Sequence, residues 1–375
     1  MRKKIIVVAV SSWYIFNFRL NLILHLKAQG YDVIAVAPID SYSMRFEAQG
    51  IPYVPIAVDE KGTNPIKDGL LIVRFVQLFL KLKPDCILSY TPKCNIYASL
   101  VAGGLGIPII NNISGLGSAF IRENLTTKIV EWLYTVSLRK SAKVFFQNQD
   151  DSSLFIARRL VKPVRTEILP GSGVEVNRFT PASTTTAKSH FVFLMVGRML
   201  SYKGVAEFVA ASRLLKQQYP DIQCQLLGFL DCKNSSAITT AQMQEWVDEG
   251  IVEYLGVSDC VVKFLRNADC VVLPSYYREG VPRSLLEAAS VGKPIITTDT
   301  VGCRDVVDEG VNGFLCKPRN VGDLKAKMEK MLLLSQPERL QMGLNGREKI
   351  LKNFDEKIVI ERYMKALEYL QNPPA

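Results

Sequence analysis

Short apolar runs alternate with helix-patterned segments along the whole chain. Residues 4–10, 32–37 and 86–90 have the length of buried strands, and each is followed by a segment with apolar residues at helical spacing. This alternation predicts parallel sheets with helices on both faces, so the fold class is α/β. With 375 residues the chain is longer than one hydrophobic core usually supports, which favours two domains.

A polar stretch without periodicity predicts the boundary between these domains. Residues 181–189 read PASTTTAKS, a composition typical of a linker. We therefore expect a first domain over 1–180 and a second over 181–354. A final helical segment covers 355–375.

Residues 269–301 form one strand–loop–helix–strand unit. The apolar run 270–273 ends in Pro-Ser, Pro282 opens an alanine-rich helical pattern, and 295–298 is a second strand. In such units ligands bind where the strands end and the next helix begins.

Two carboxylates accompany that unit, Glu279 in the loop and Glu287 in the helix, with seven residues between them. They can face one pocket and accept hydrogen bonds from hydroxyl groups, while the backbone N–H groups of residues 283–285 face an anion. The alternative is an ordinary solvated helix start, where the helix dipole favours glutamate.

A second loop, VGRMLSYKG over 196–204, follows another strand. Arg198 and Lys203 converge there beside a helix start, an arrangement that suits a diphosphate. Solvated loop cations are the alternative interpretation.

These two segments, and REGVPRSLLEAASVGKPIITTDTVGCRDVV in particular, resemble the retaining nucleotide-sugar glycosyltransferases of family 4. The chain most resembles the bacterial enzymes that add a hexose or N-acetylhexosamine to undecaprenyl-diphosphate-linked sugars. The resemblance covers nearly the whole chain and is strongest over 191–318. It implies the GT-B fold: two Rossmann-like domains facing each other across a cleft, with a C-terminal helix that crosses back to the first.

The resemblance also implies roles on the donor side. The catalytic residues would be Glu279, Arg198 and Lys203. Glu279 would contact the transferred sugar, and Arg198 and Lys203 would bind the departing diphosphate. The nucleotide would be bound by Glu287 through its ribose, by backbone groups at Ser284 and Leu285, and by the loop opened by Gly256. The reaction expected is transfer of a sugar from a UDP-sugar to a hydroxyl of a polyprenyl-diphosphate-linked sugar.

The acceptor side is assigned to the first domain. Arg19, expected at the start of a helix, is a candidate for phosphate contact. Family relatives commonly carry a histidine near residue 114, where this chain has Ser114. The acceptor-side candidates are Arg19, Lys93, Asn95, Ser114, Gly115 and Gly117.

No metal or other cofactor is expected. The eight cysteines include no C-x-x-C pair, there are two histidines, and no D-x-D pair is present. Reduced core cysteines are the simplest interpretation.

Net charge is +10 and lies almost entirely in the first half. Residues 1–180 hold 22 basic and 13 acidic residues, a difference of +9, whereas residues 181–375 hold 24 and 23, a difference of +1. Such an excess indicates an anionic partner. Segments 66–83 and 125–143 mix basic and apolar residues. This mixture is typical of core helices whose lysines extend into solvent, and it is also typical of helices that lie on an anionic bilayer.

We therefore expect a cytoplasmic enzyme attached peripherally to the inner face of the cytoplasmic membrane, without a spanning helix. Two other functions stay open. A nucleotide-sugar epimerase of the same fold would bring more acid and base groups to the cleft. A nucleic-acid-binding protein would explain the charge, but no binding module is recognisable, so no nucleic-acid partner is expected.

Overall fold

The structure is a computed structural model that describes residues 2–59, 64–116, 120, 125–182, 190–230, 234 and 236–371. Contacts divide the chain into two compact units. One contains residues 1–172 and 359–375, and the other contains residues 173–358.

The first unit is a parallel α/β sheet. Its strands are β1 Lys4–Val8, β2 Asp32–Ala37, β3 Tyr53–Pro55, β4 Cys86–Tyr90, β5 Ile109–Ile113, β6 Lys143–Phe146 and β7 Thr166–Ile168. Within the described residues they pair in the order β3-β2-β1-β4-β5-β6-β7. Its helices are α1 Ser12–Ala28, α2 Ser43–Ala48, α3 Pro65–Leu82, α4 Pro92–Leu105, α5 Leu125–Ser137 and α6 Gln149–Ala157.

The second unit repeats this plan. Its strands are β8 Val192–Val196, β9 Gln223–Leu227, β10 Glu253–Tyr254, β11 Cys270–Leu273, β12 Ile295–Thr298 and β13 Gly313–Cys316. In the described part of the chain they form a parallel sheet in the order β10-β9-β8-β11-β12-β13. Its helices are α7 Val205–Lys216, α8 Thr240–Asp248, α9 Val261–Asn267, α10 Arg283–Ser290, α11 Val321–Leu333 and α12 Gln336–Asn353.

The last helix, α13 Glu356–Gln371, completes the core of the first unit. Val359, Tyr363 and Leu367 are spaced four residues apart, so they lie on one face of the helix, and all three are buried. The Tyr363 hydroxyl accepts a hydrogen bond of 3.0 Å from the side-chain amide of Asn112 at the end of β5.

The sequence-based boundary between the two domains needs correction. The second unit begins at Gly173 rather than at 181, because Val174, Val176 and Phe179 are part of its core. Residues 183–189 of the expected linker lie outside the described residues.

The first helix also starts earlier than expected, at Ser12. Ser11 caps it by accepting a hydrogen bond of 3.2 Å from the backbone N–H of Tyr14. Arg19, expected at the start of this helix, therefore lies within it.

Helices α3 and α5 are apolar on two opposite faces. Leu71, Phe75 and Phe79 of α3 pack into the core, while a stripe with spacings of four, three and seven residues faces outward and is exposed. That stripe contains Ile66, Leu70, Val73 and Leu80. In α5, spacings of four, three and four residues give an exposed stripe of Leu125, Ile129, Trp132 and Val136, opposite the buried Tyr134. Both helices pack against α4.

The described cysteines are free thiols. Cys86, Cys224, Cys270 and Cys316 lie in buried strands, as expected, whereas Cys260 is exposed. In the part of the chain that the structure describes, no helix is both long and apolar enough to cross a membrane.

Candidate active site

The loops that follow β8, β11 and β12 meet at the carboxyl edge of the second sheet, because the strands are parallel and adjacent. Gly204 makes this close approach feasible. Its φ of +80° is in the left-handed region, and a Cβ there would overlap the carbonyl oxygen of Pro274 after β11. The backbone N–H of Tyr276 donates to the carbonyl of Tyr202 at 3.0 Å, which joins the two loops again.

Lys203 and Glu279 form an ion pair at this edge, although 76 residues separate them in the chain. Their side chains are only 14% and 13% exposed, so solvent screens the pair weakly. The same Glu279 oxygen, Oε1, accepts a hydrogen bond of 3.0 Å from the hydroxyl of Ser275. The structure thus brings together two groups that the sequence assigned to different parts of a substrate.

The loop that carries Glu279 is fastened to the end of β12. The carbonyl of Ser275 accepts hydrogen bonds from the hydroxyls of Thr298 and Thr300, the latter at 3.1 Å. Gly302, with φ +80°, lies so close to the carbonyl of Gly280 that a Cβ would overlap it. Glu279 therefore sits on a loop that is held at both ends.

Arg198 lies in the same loop as Lys203 but points outward and is exposed. Among the described residues its guanidinium makes no hydrogen bond or ion pair. A guanidinium offers five N–H donors, so this one can bind an anion without first breaking an internal contact.

Glu287 lies one turn into α10 and pairs with Arg283, whose Nε donates to Glu287 Oε1 at 3.0 Å. Burial raises the pKa of the Glu287 carboxyl above its usual range, while Arg283 and the charge of Arg178 oppose that shift. One oxygen is held by Arg283, and a carboxylate has about four lone-pair sites, so hydroxyl donors can still bind.

The start of α10 matches the sequence-based expectation only in part. Ser284 is half-buried at the second position of the helix, where a helix offers its N–H no internal partner. The N–H of Leu285, by contrast, donates to the carbonyl of Pro282 at 3.1 Å, and its side chain is buried in the core. The expectation that the Leu285 N–H faces an anion is therefore wrong.

Gly256 follows β10 with φ +70°. Its carbonyl accepts a hydrogen bond of 2.8 Å from the N–H of Gly228, which follows β9. The loop expected to bind the nucleotide base thus begins at the same carboxyl edge as the charged groups.

In the first unit, Arg19 is the clearest departure from expectation. It lies within α1 rather than at its start, and only 1% of the residue is exposed. Its guanidinium carbon lies 4.4 Å from the ring centroid of Tyr90, and Nη2 donates to the Tyr14 hydroxyl at 3.3 Å. Burial acts to lower the pKa of Arg19, but Tyr14, Tyr90 and Tyr363 raise it on balance, so it stays charged. Direct contact with phosphate is not supported by this enclosed position.

Lys93 and Asn95 on α4 also form contacts within the first unit. Lys93 forms an ion pair of 2.9 Å with Asp68 of α3, and both side chains are largely buried. Asn95 is buried and donates to the carbonyl of Asn112 at 2.8 Å. Lys93 thus joins α4 to α3, and Asn95 joins α4 to the carboxyl end of β5.

The loop after β5 holds the remaining acceptor-side candidates. Ser114 and Gly115 are half-buried there, and Gly115 has φ +104°, a conformation that favours glycine. Gly117 lies outside the described residues.

Several residues that shape the donor-side edge were not predicted from sequence. Ser275, Arg283, Thr298 and Thr300 contact the two glutamates or their loop, and Tyr202 stacks on Tyr277 with ring centroids 4.4 Å apart. The only signal in the sequence was position, since Ser275 follows β11 and Thr298 ends the neighbouring strand β12. Among the described residues, no group of three or more His, Cys, Asp or Glu side chains could hold a metal ion.

The fold and this charged edge define a class of protein. A glycosyltransferase from Rickettsia africae superimposes with a TM-score of 0.81 over all of both chains, at 16% identity, and the fold is GT-B. Residues 177–349 match the family model for group 1 glycosyl transferases, and residues 4–148 match the glycosyl transferase 4-like model. The two matches together cover most of both units, and the chain belongs to these glycosyltransferases.

Two curated relatives act on lipid-linked sugars, according to their names. The N,N'-diacetylbacillosaminyl-diphospho-undecaprenol alpha-1,3-N-acetylgalactosaminyltransferase of Campylobacter jejuni is 28% identical over 94% of each chain. The UDP-Gal:alpha-D-GlcNAc-diphosphoundecaprenol alpha-1,3-galactosyltransferase of Escherichia coli is 23% identical over 79% of this chain and 78% of its own. These comparisons support glycosyl transfer and do not support the epimerase alternative.

Arg198→Ala and Lys203→Ala are each expected to lower kcat/KM for the sugar donor at least tenfold, because a hydrogen bond to a charged group contributes about 1.5–3 kcal/mol. The measurement is initial-rate kinetics with the donor varied. Lys216→Ala is the matched control, because Lys216 is a lysine of the same unit whose ammonium donates to the Gly250 carbonyl at 2.7 Å. Full activity in either loop variant would contradict a role for this loop.

Proposed function

We propose that this glycosyltransferase moves a hexose or N-acetylhexosamine from a UDP-sugar to a hydroxyl of a polyprenyl-diphosphate-linked sugar, during assembly of a bacterial surface polysaccharide or glycan. The observation that carries the proposal is the ion pair of Lys203 and Glu279 at the carboxyl edge of the second sheet, with the exposed Arg198 in the same loop as Lys203. The names of the two curated relatives support both the donor and the acceptor class.

The enzyme must stabilise the negative charge on the leaving diphosphate. As the bond from the sugar C1 to the phosphate oxygen breaks, negative charge grows on the departing UDP. In the proposed complex Arg198 and Lys203 stabilise that charge, with the N–H of Ser284 at the start of α10 as a further donor. No metal ion is needed if these cations supply the charge.

The transferred sugar is assigned to Glu279 and the nucleotide ribose to Glu287. In both cases a largely buried carboxylate accepts hydrogen bonds from sugar hydroxyls. The loop opened by Gly256 is assigned to the base.

The proposed reaction retains the anomeric configuration by front-face attack. The acceptor oxygen forms its bond to C1 on the face that the phosphate leaves, and the acceptor proton passes to an oxygen of that phosphate. No enzymic base is required for this step, so Ser114 in place of a histidine is compatible with it. We place the acceptor beside Ser114 and Gly115, after β5.

We also propose that the first unit docks on an anionic bilayer at the inner face of the cytoplasmic membrane. The exposed apolar stripes of α3 and α5 support this, because monomeric soluble proteins rarely leave such stripes uncovered. Lys67, Arg74 and Lys81 lie seven residues apart along α3, beside its stripe. Apolar contact and attraction to anionic lipid then act on one surface.

A donor panel with a lipid-linked acceptor tests the reaction. UDP release should require both a UDP-hexose or UDP-N-acetylhexosamine and an acceptor carrying a polyprenyl diphosphate, and it should persist in EDTA. Release that EDTA abolishes and magnesium or manganese restores would overturn the metal-free mechanism. Transfer to soluble acceptors alone would overturn the acceptor class.

The two glutamates should respond differently to substitution. Glu279→Gln is expected to lower kcat at least tenfold with a smaller effect on UDP affinity, whereas Glu287→Ala should chiefly weaken UDP binding, by roughly the same factor. Steady-state kinetics and calorimetry with free UDP separate the two effects. Glu329→Gln, which removes a carboxylate from the ion pair with Lys325, is the control. The reverse pattern would show that the two assignments are exchanged.

Liposome flotation tests the docking surface. Lys81→Glu/Lys83→Glu and, separately, Trp132→Ala should each reduce binding to vesicles containing anionic lipid. Binding of the wild type should fall at high salt, because each basic residue near the surface contributes about 1 kcal/mol through a screened field.

Arg213→Glu/Lys216→Glu is the matched charge reversal in the second unit, and it should leave flotation unchanged. Equal binding of the wild type to neutral vesicles, or binding to neither kind, would contradict this surface.

A further inference from the structure

We propose that Ser275 is a positioning residue that holds the carboxylate of Glu279 while Lys203 turns to the donor diphosphate. This inference rests on the proposed function, in which Lys203 and Glu279 bind different parts of the donor. In the structure these two groups form an ion pair with each other.

Ser275 has the burial and the contacts that this task requires. It is 0% exposed, and its hydroxyl lies 3.0 Å from Glu279 Oε1 and 3.3 Å from the carbonyl oxygen of Tyr202. The N–H of Tyr277 donates to the same hydroxyl oxygen at 3.3 Å. The carboxylate and the Tyr202 carbonyl can only accept, so the single hydroxyl proton is shared between these two oxygens.

The backbone of Ser275 is fixed independently of Lys203. Its carbonyl is held by the hydroxyls of Thr298 and Thr300, at the end of the neighbouring strand β12. Movement of the Lys203 side chain therefore leaves the position of Ser275 unchanged.

The contacts of Glu279 with Lys203 and with Ser275 differ in what a donor does to them. A diphosphate carries more negative charge than one carboxylate, so it attracts the Lys203 ammonium away from Glu279. The neutral hydroxyl of Ser275 is not attracted in this way. Glu279 thus loses a charged partner, keeps a neutral one, and stays oriented for the hydroxyls of the sugar.

A double-mutant cycle between Ser275 and Glu279 tests the proposal. Ser275→Ala is expected to lower kcat about tenfold, the size typical of losing one hydrogen bond to a charged group, and to leave the Kd for UDP within about twofold. In the Glu279→Ala background, which removes the acceptor oxygen, Ser275→Ala should change kcat by less than about twofold, because residues that act through one contact are not additive.

The control is Ser290→Ala, which removes another fully buried serine hydroxyl of the same unit, one that donates to the Phe179 carbonyl at 2.7 Å. Its kcat should match the wild type. If Ser275→Ala no longer binds UDP, Ser275→Cys replaces it in the cycle, because the thiol keeps the volume and is a weak donor.

The outcomes separate this inference from the proposed function. Additive effects in the cycle, or an unchanged kcat in Ser275→Ala, would overturn the positioning role while Glu279→Gln still impairs turnover. Full activity in Glu279→Gln would overturn both the role of Glu279 and the inference built on it.

Discussion

Parallel strand pairing is the constraint on which the chemistry of both units depends. In a parallel sheet every strand ends at the same edge, so loops that are distant in sequence converge there. In the second unit this convergence places the loop after β8 against the loop after β11, with the end of β12 beneath them. Lys203, Glu279 and Ser275 meet for that reason, and glycines at 204 and 302 allow the backbones to approach closely enough.

The fold can be predicted from the sequence to a greater extent than the contacts of individual side chains. Strand positions and the α/β class follow from local apolar patterns, and the convergence of Lys203 with Glu279 follows from knowing that the strands are parallel. The partners of individual side chains do not follow, because they depend on distances across the sheet. Ser275 is an ordinary serine in sequence, and only the fold shows that its hydroxyl meets Glu279.

Arg19 and Leu285 were misassigned for different physical reasons. Arg19 was expected near a helix start, yet Ser11 begins the helix earlier and places Arg19 on the buried face, among aromatic rings. A charged side chain in an aromatic segment gives no local sign of burial, because the tyrosines that surround it come from β4 and α13 as well as from α1. Leu285 was assigned to anion binding from its position at the start of α10, but its N–H donates to the Pro282 carbonyl within the first turn.

The C-terminal helix has a consequence for how the protein is made. The core of the first unit needs Val359, Tyr363 and Leu367, which leave the ribosome only after the whole second unit, residues 173–358, has been synthesised. At about 5–20 residues per second, that delay is on the order of ten seconds or more. During it, the face of the first sheet that α13 will cover is exposed, so the second unit can complete its core before the first does.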